Sequence, residues 1–254
     1  AEQKQWTERY PVNSASPQLE ISNIWGSVKV RPGASGEIVV SIAEFRRAPN
    51  QQLFERSMEI YKLDTKVDAL GVSIIVGERN NRWHGNNPCK DCRVDYQFDI
   101  EVPPGTRLDV GTAMDGKVDI AGITGNISAS NVNGPIEIDG VENCTAINSV
   151  NGAVNMGFSR APAQDCSIET INGNIHLDVP ADSGMDVALD LWNGEVSSDF
   201  TVQSLVLPAT VEQVVADGRT RYRIQQLTGM RVGPGGPLYS IASMNGDVRI
   251  TKQN

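Results

Sequence analysis

The chain has 254 residues, a formal net charge of −9, two histidines and four cysteines. An acidic balance argues against DNA, RNA or anionic lipid as a partner, because each needs a basic surface, and two histidines leave little material for histidine-based catalysis. No apolar run is long enough to cross a bilayer, so no transmembrane segment is expected.

Taken from its start, the chain opens with a polar stretch, residues 1–16, expected as a loose lead-in. Ala1 followed by Glu-Gln-Lys-Gln reads as a mature terminus left after export. Residues 17–254 read as one domain. Its first unit is Ile24-Trp25-Gly26-Ser27-Val28-Lys29-Val30, followed by a strand over Glu37–Ala43. A helical interruption is expected within 46–60, as Asn50 can cap Asn50–Glu59 and Leu53, Phe54 and Met58 give it an apolar side. Such an interruption would cap one end of a stack whose terminal edges are otherwise open to pairing. Strands resume at Met58–Asp64 and Val72–Val76.

Residues 78–93 carry no periodic apolar signal and read as an exposed loop insertion. Trp83 and His84 within it are candidate contacts for a partner or sugar; the alternative is that the loop folds its tryptophan back onto the domain. Cys89-Lys-Asp-Cys92 is a CxxC. A thioredoxin-type site would precede a helix in a βαβ setting, a haem attachment would need histidine where Arg93 stands, and zinc needs four ligands where Cys89, Cys92 and His84 make three. A local disulfide that staples the loop is the favoured reading.

After a strand at Val94–Val102 and a turn at Pro103-Pro104-Gly105, one phrase repeats: apolar, Asn or Asp, Gly, any, apolar, any, apolar. It occurs at Met114–Ile120, Val132–Ile138, Val150–Met156, Ile171–Leu177 and, shortened, Trp192–Val196. Glycines 116, 134, 152, 173 and 194 are 18, 18, 21 and 21 residues apart. A near-constant period of this size marks a stacked repeat, in which each unit shares its buried face with the next. Met244-Asn245-Gly246-Asp247-Val248-Arg249-Ile250 adds a further copy, for about seven rungs. Asn-Gly marks a tight corner tolerant of positive φ. A meander of Asn-Gly hairpins would need a second apolar alternation in every period, and a propeller blade needs twice the step. The expected fold is therefore all-β, a single-stranded parallel β-helix or solenoid with right-handed coiling favoured, in which Val118, Ile136, Val154, Ile175 and Val196 form one buried column.

Asn133, Asn151, Asn172, Asn193 and Asn245 would then lie above one another. Corner chemistry with amide–amide hydrogen bonds along the stack accounts for them; the rival reading is a row of amides that binds a glycan or a partner's edge. Cys144 and Cys166 fall in neighbouring coils, as a bridge or as two small buried hydrophobes. Four cysteines allow three pairings, and spacing does not choose among them. The carboxylates Asp115, Asp119, Glu137, Asp139, Glu169 and Asp178 alternate with core positions, as a solvated strand face should. No calcium-binding nonapeptide is present.

Val102-Pro103-Pro104-Gly105-Thr106-Arg107-Leu108-Asp109-Val110, the serial Asn-Gly strands and the closing Gly235-Gly236-Pro237 with Asn245–Ile250 together resemble the bacterial putative-adhesin family of β-strand repeats, related to the toast-rack domains. The resemblance spans roughly residues 17–251. It implies an exported, non-enzymatic β-solenoid of the cell envelope, periplasmic or at the surface, and supplies no catalytic residues; the 78–93 loop departs from the family pattern. The expectation is an adhesin-like structural or interaction module with no cofactor or metal, whose partner is an unnamed envelope protein or glycan. The alternative is a glycan-binding or polysaccharide-active β-helix.

Overall fold

The computed structural model describes residues 1–77, 89, 91–216, 219–225 and 227–253, the backbone alone for 210–216 and 219–225. The described chain is mostly β-structure with one short helix, Gln51–Ile60. It forms two large mixed sheets of ten and eleven strands and a separate hairpin, Thr210–Ala216 with Arg219–Gln225.

The repeats build the middle of both sheets. Val118–Ala121, Ile136–Val141, Val154–Phe158 and Ile175–Pro180 run parallel and in register in the ten-stranded sheet. Arg107–Thr112, Ile127–Asn133, Ala146–Asn151 and Cys166–Asn172 do the same in the eleven-stranded sheet. Each period thus places one strand in each sheet, with an Asn-Gly corner between. Alternation sends every second side chain inward. Val118, Ile136, Val154 and Ile175 on one side and Ile127, Ile147 and Ile168 on the other are fully buried in one core cluster. Burial of each such side chain stabilises the fold by about 1.5–3 kcal/mol before entropy is counted.

The expected column is real but its order is not that of the sequence. Val28 pairs with Val118, and from there the register runs through Ile136, Val154 and Ile175. Ile175 is then followed by Val248, and only then by Val196, which is half-buried. The strand pair Leu238–Asn245 and Val248–Gln253 is inserted between the 173 and 194 repeats. Every rung carries the same apolar rows, so hydrophobic matching accepts this neighbour as readily as the one next in sequence.

A uniformly parallel coil is not what the ends show. At one end Glu37–Arg47 lies antiparallel to Arg93–Val102, and Leu63–Val67 antiparallel to Gly71–Val76. At the other, Thr228–Val232 lies antiparallel to both Met185–Asn193 and Val202–Leu205. Residues 1–16 are no loose lead-in: Glu2–Pro11 is the outermost strand of the ten-stranded sheet. Most of its side chains are exposed; only Trp6, Glu8 and Tyr10 are half-buried, with Trp6 and Tyr10 packed against the core, so its apolar alternation is too short to stand out in the sequence.

Helix Gln51–Ile60 starts where Asn50 accepts a hydrogen bond from the Leu53 amide at 2.9 Å. Its inner side is Leu53, Ser57 and Ile60, not the expected Leu53, Phe54 and Met58; Met58 faces solvent. The helix also runs through Ile60, so the strand expected at Met58–Asp64 begins only at Leu63. Arg46, buried beneath it, donates to Glu44 at 2.6 Å, to Ser57 and to the Tyr96 hydroxyl at 3.1 Å, and that hydroxyl donates to the Tyr61 carbonyl at 2.8 Å.

Candidate functional site

The site is built from the corner outward. Where a strand of the eleven-stranded sheet passes into its partner in the ten-stranded sheet, the glycines of successive rungs stack back to back. A Cβ on Gly152 would lie 2.0 Å from the Gly134 carbonyl oxygen, and one on Gly173 2.1 Å from that of Gly152. Close approach, more than conformation, is what demands glycine here: of the repeat glycines only Gly26, Gly134 and Gly246 have positive φ. The backbone ladder continues through the bend, with Gly134 donating to Asn151 and Gly152 to Asn172.

Three rows of side chains flank this corner. The inner row, three residues before each glycine, is small, polar and buried: Asn131, Ser149, Thr170 and Ser243. Asn131 donates to the Gly116 carbonyl at 2.9 Å and Ser149 to that of Gly152 at 3.0 Å, so these two satisfy corner carbonyls, whereas the Thr170 and Ser243 hydroxyls are buried with no hydrogen-bond partner among the described residues. The row immediately before the glycines is the asparagine ladder. Asn151 donates to Asn133 at 2.9 Å, Asn172 to Asn151 at 2.8 Å, Asn245 to Asn172 at 2.8 Å and Asn193 to Asn245 at 3.0 Å. These bonds hold the amide groups to one another along the stack. The first rung has Trp25 in place of asparagine, and it packs edge-on against Tyr61.

Between those two rows lies a third, which points outward and is apolar. Along the stack it reads Val132, Val150, Ile171, Met244 and Trp192, following the same strand pairings; Met114 is in register with Asn133 and Trp25 and belongs to the row of the ladder. Val150 is half-buried; Val132, Ile171 and Met244 are 41–48% exposed and Trp192 is 79% exposed. Sequence reading took the apolar residue two before each glycine as part of the repeat's hydrophobic set. The structure turns it to solvent. Parity carried the signal: Ile168 and Ile171 are three apart, so on one strand they face opposite sides, and Ile168 is the buried one.

Beside the stripe, on the same outer face, runs the row Asn148, Glu169, Ala242 and Asp190, joined by register. The small Ala242 side chain leaves a shallow hollow of about 410 Å³ between Glu169, Asp190, Ile171, Met244 and Trp192. Among the described residues that line it there is no lysine or arginine.

The other residues singled out from sequence fall elsewhere. Trp83 and His84 lie outside the described residues. Cys144 and Cys166 are disulfide-bonded, Cα atoms 5.5 Å apart, inside the core. Cys89 and Cys92 form the local bridge, and their sulfurs lie 3.3 and 3.6 Å from the Leu53 carbonyl, so the staple rests on the helix. The six carboxylates are not gathered into a site. Asp115 accepts from Arg93 at 2.9 Å, Glu137 from Asn155 at 2.9 Å, and Asp178 from Thr251 at 2.9 Å. Burial works against ionisation of Asp119, but hydrogen bonds from Arg31 and Lys117 outweigh it and hold its carboxyl below the usual range. At the far end of the eleven-stranded sheet, burial and then Glu20, its register neighbour, push the Asp109 carboxyl up.

No family model and no curated protein matches the chain by sequence. Solved structures do. A "putative cell adhesion protein" from Clostridium sporogenes ATCC 15579 superposes with a TM-score of 0.52 over 98% of this chain and 100% of its own, at 10% identity. A "putative adhesin" from Bacteroides fragilis NCTC 9343 gives a TM-score of 0.42 over 98% of this chain and 97% of its own, at 11% identity. What is shared with the first of these is the fold, and its name accords with the putative-adhesin resemblance of the repeat motifs. Among the described residues no helix is long and apolar enough to cross a membrane.

Proposed function

We propose that this chain is a non-catalytic, adhesin-like interaction module of the bacterial cell envelope, and that the central parallel rungs act as a β-solenoid scaffold for the Val132–Trp192 stripe. The observation that carries the reading is the stripe itself. A row of large apolar side chains at one repeat position, turned to solvent on consecutive rungs, has no role in the core and marks a contact surface. The fold shared with a protein described as a putative cell adhesion protein supports it. Two disulfides support an exported setting, where such bonds persist.

The test is binding of the purified, fluorescently labelled chain to envelope fractions of the producing bacterium. The wild type is expected to bind, and the double variant Ile171→Asp/Met244→Asp to lose about tenfold or more in affinity, since two apolar contacts are replaced by charges. Equal binding by the two would overturn the assignment of the stripe. A second reading, a glycan as the partner, is favoured by one residue: Trp192 offers an exposed ring beside Asp190.

A further inference from the structure

We infer that the open end of the ten-stranded sheet, the corner at 193–198, takes one further rung from another polypeptide: an extended segment that carries the repeat phrase, apolar-Asn-Gly-any-apolar, and lies parallel to it. The surface is the end of the stack, and the inference does not rest on the role given to the outward stripe.

The two ends of this sheet differ. At one end the charged strand Glu2–Pro11 closes it, and the first corner is already seated, since a Cβ on Gly26 would lie 2.3 Å from the Tyr96 carbonyl oxygen. At the other end the outermost strand is Val196–Ser198, which carries no charge and has a strand neighbour on one side only among the described residues. The earlier corners show what belongs beside it. Each glycine amide donates to the asparagine carbonyl of the next rung: Gly134 to Asn151, Gly152 to Asn172, Gly173 to Asn245 and Gly246 to Asn193. The amide two residues later also donates onward, Val154 to Asn174, Ile175 to Asp247 and Val248 to Glu195. Each ladder Oδ1 accepts from the next asparagine. In the last rung the corresponding groups, the Gly194 amide, the Val196 amide and Asn193 Oδ1, have no protein partner among the described residues. The apolar rows stop short in the same place. Val28, Val118, Ile136, Val154, Ile175 and Val248 are fully buried, while Val196, with a rung on one side only, is half-buried.

These groups select the occupant. It must offer an amide N–H to Asn193 Oδ1 and a carbonyl to the Gly194 amide. It must also lack a Cβ where it crosses Gly194: at six successive corners, from Gly116 over Gly26 to Gly194 over Gly246, a Cβ would lie 2.0–2.1 Å from the preceding glycine's carbonyl oxygen. An apolar residue two after its glycine would cover Val196, and one two before it would cover Trp192. Only a parallel strand follows the corner. An antiparallel strand could pair with Val196–Ser198 but would leave the Gly194 and Asn193 groups unmatched. That disfavours a second copy placed by a twofold axis, and a copy placed head to tail offers only the Gly26 corner, which Tyr96 already covers. Contiguity in one chain is not required, because Leu238–Gln253 is already seated between rungs it does not adjoin in sequence. Recognition is thus strand addition through a corner, with main-chain bonds for affinity and the Asn-Gly pair for selectivity.

The experiment is titration of the whole chain with a capped, fluorescently labelled peptide of the sequence at 147–156, Ile-Asn-Ser-Val-Asn-Gly-Ala-Val-Asn-Met. Two control peptides accompany it, one with alanine for glycine and one with the sequence reversed. The rung peptide is expected to bind, the alanine peptide to bind about tenfold or more weakly, and the reversed peptide not to bind. Val196→Pro removes an amide hydrogen that faces away from the paired neighbour, a place where an edge strand tolerates proline. It should weaken the rung peptide about tenfold and leave the thermal transition unaltered. The alanine peptide leaves the protein untouched, so the comparison stands even where the proline variant does not fold. Sedimentation of the chain alone should show a monomer. Equal affinity for the glycine and alanine peptides, equal affinity for the reversed one, or no uptake of the rung peptide would each overturn the inference. Self-association abolished by Val196→Pro would do so too, by making a second copy the occupant. None of these readouts involves envelope fractions, so the loss of either proposal leaves the other standing.

Discussion

Gly152 has no room for a methyl group. The Gly134 carbonyl lies 2.0 Å from where its Cβ would be, and the backbone around that carbonyl is held by the ladder, Gly134 donating to Asn151 and Pro135 accepting from Val118. Gly152→Ala must therefore push two rungs apart and should destabilise the chain by about 1–3 kcal/mol in urea denaturation. Asn172 works in the opposite sense, as an acceptor from Asn245 and a donor to Asn151 at 2.8 Å each. Asn172→Ala removes both bonds from a partly hydrated row, and a loss of about 1–2 kcal/mol in the same measurement is expected. Asp109 supplies a pH test. Burial, then Glu20, raises its carboxyl, so the folded state holds that proton more tightly than the unfolded chain. The resulting contribution is complete below the unfolded value and disappears as pH rises through the folded one. Asp109→Asn should raise the unfolding midpoint at neutral pH and leave it unchanged well below the carboxylate range; a gain at both would refute the linkage. At this scale the Asn-Gly corners were legible because the pair recurs. The buried row of Asn131, Ser149, Thr170 and Ser243 was not, because small polar residues in sequence look like surface until the fold places them inside a corner.

Among the elements, the strands of the repeat were readable because Val118/Ile120 and Ile136/Ile138 keep strict period two. The helix was readable from its Asn50 cap, but its inner side was not. Ser57 and Arg46, polar by composition, are the buried contacts there. Arg46→Ala would leave Glu44 buried without its cation and the Tyr96 and Ser57 groups without a donor. A cost of about 3 kcal/mol is expected, together with faster protease cleavage within Gln51–Ile60, since the Arg46 bonds are the polar anchor beneath the helix. The Cys144–Cys166 bridge joins adjacent rungs across a separation of 22 residues. Its removal by Cys144→Ala/Cys166→Ala should cost about 3 kcal/mol by loop-closure entropy; a midpoint insensitive to the double change would show that core packing alone holds those rungs.

At the scale of the whole molecule, antiparallel pairs close both ends of the eleven-stranded sheet and one end of the ten-stranded sheet, whose outermost strand there, Glu2–Pro11, carries Glu2, Lys4, Glu8 and Arg9. Charge on an edge strand deters pairing with another chain. The stacking period was legible; the stacking order was not, because each rung offers its neighbours the same faces. That interchangeability has a consequence for how the protein is made. Met185–Ser198 has no native neighbour to land on until Leu238–Gln253 has been delivered, since the later segment separates it from Cys166–Pro180. A nascent or partly secreted polypeptide can zip from its amino end only as far as Pro180. The remainder must wait, unzipped, for the tail to emerge, and a product stopped at residue 237 should lose the section after 180 to brief protease treatment while the earlier part survives.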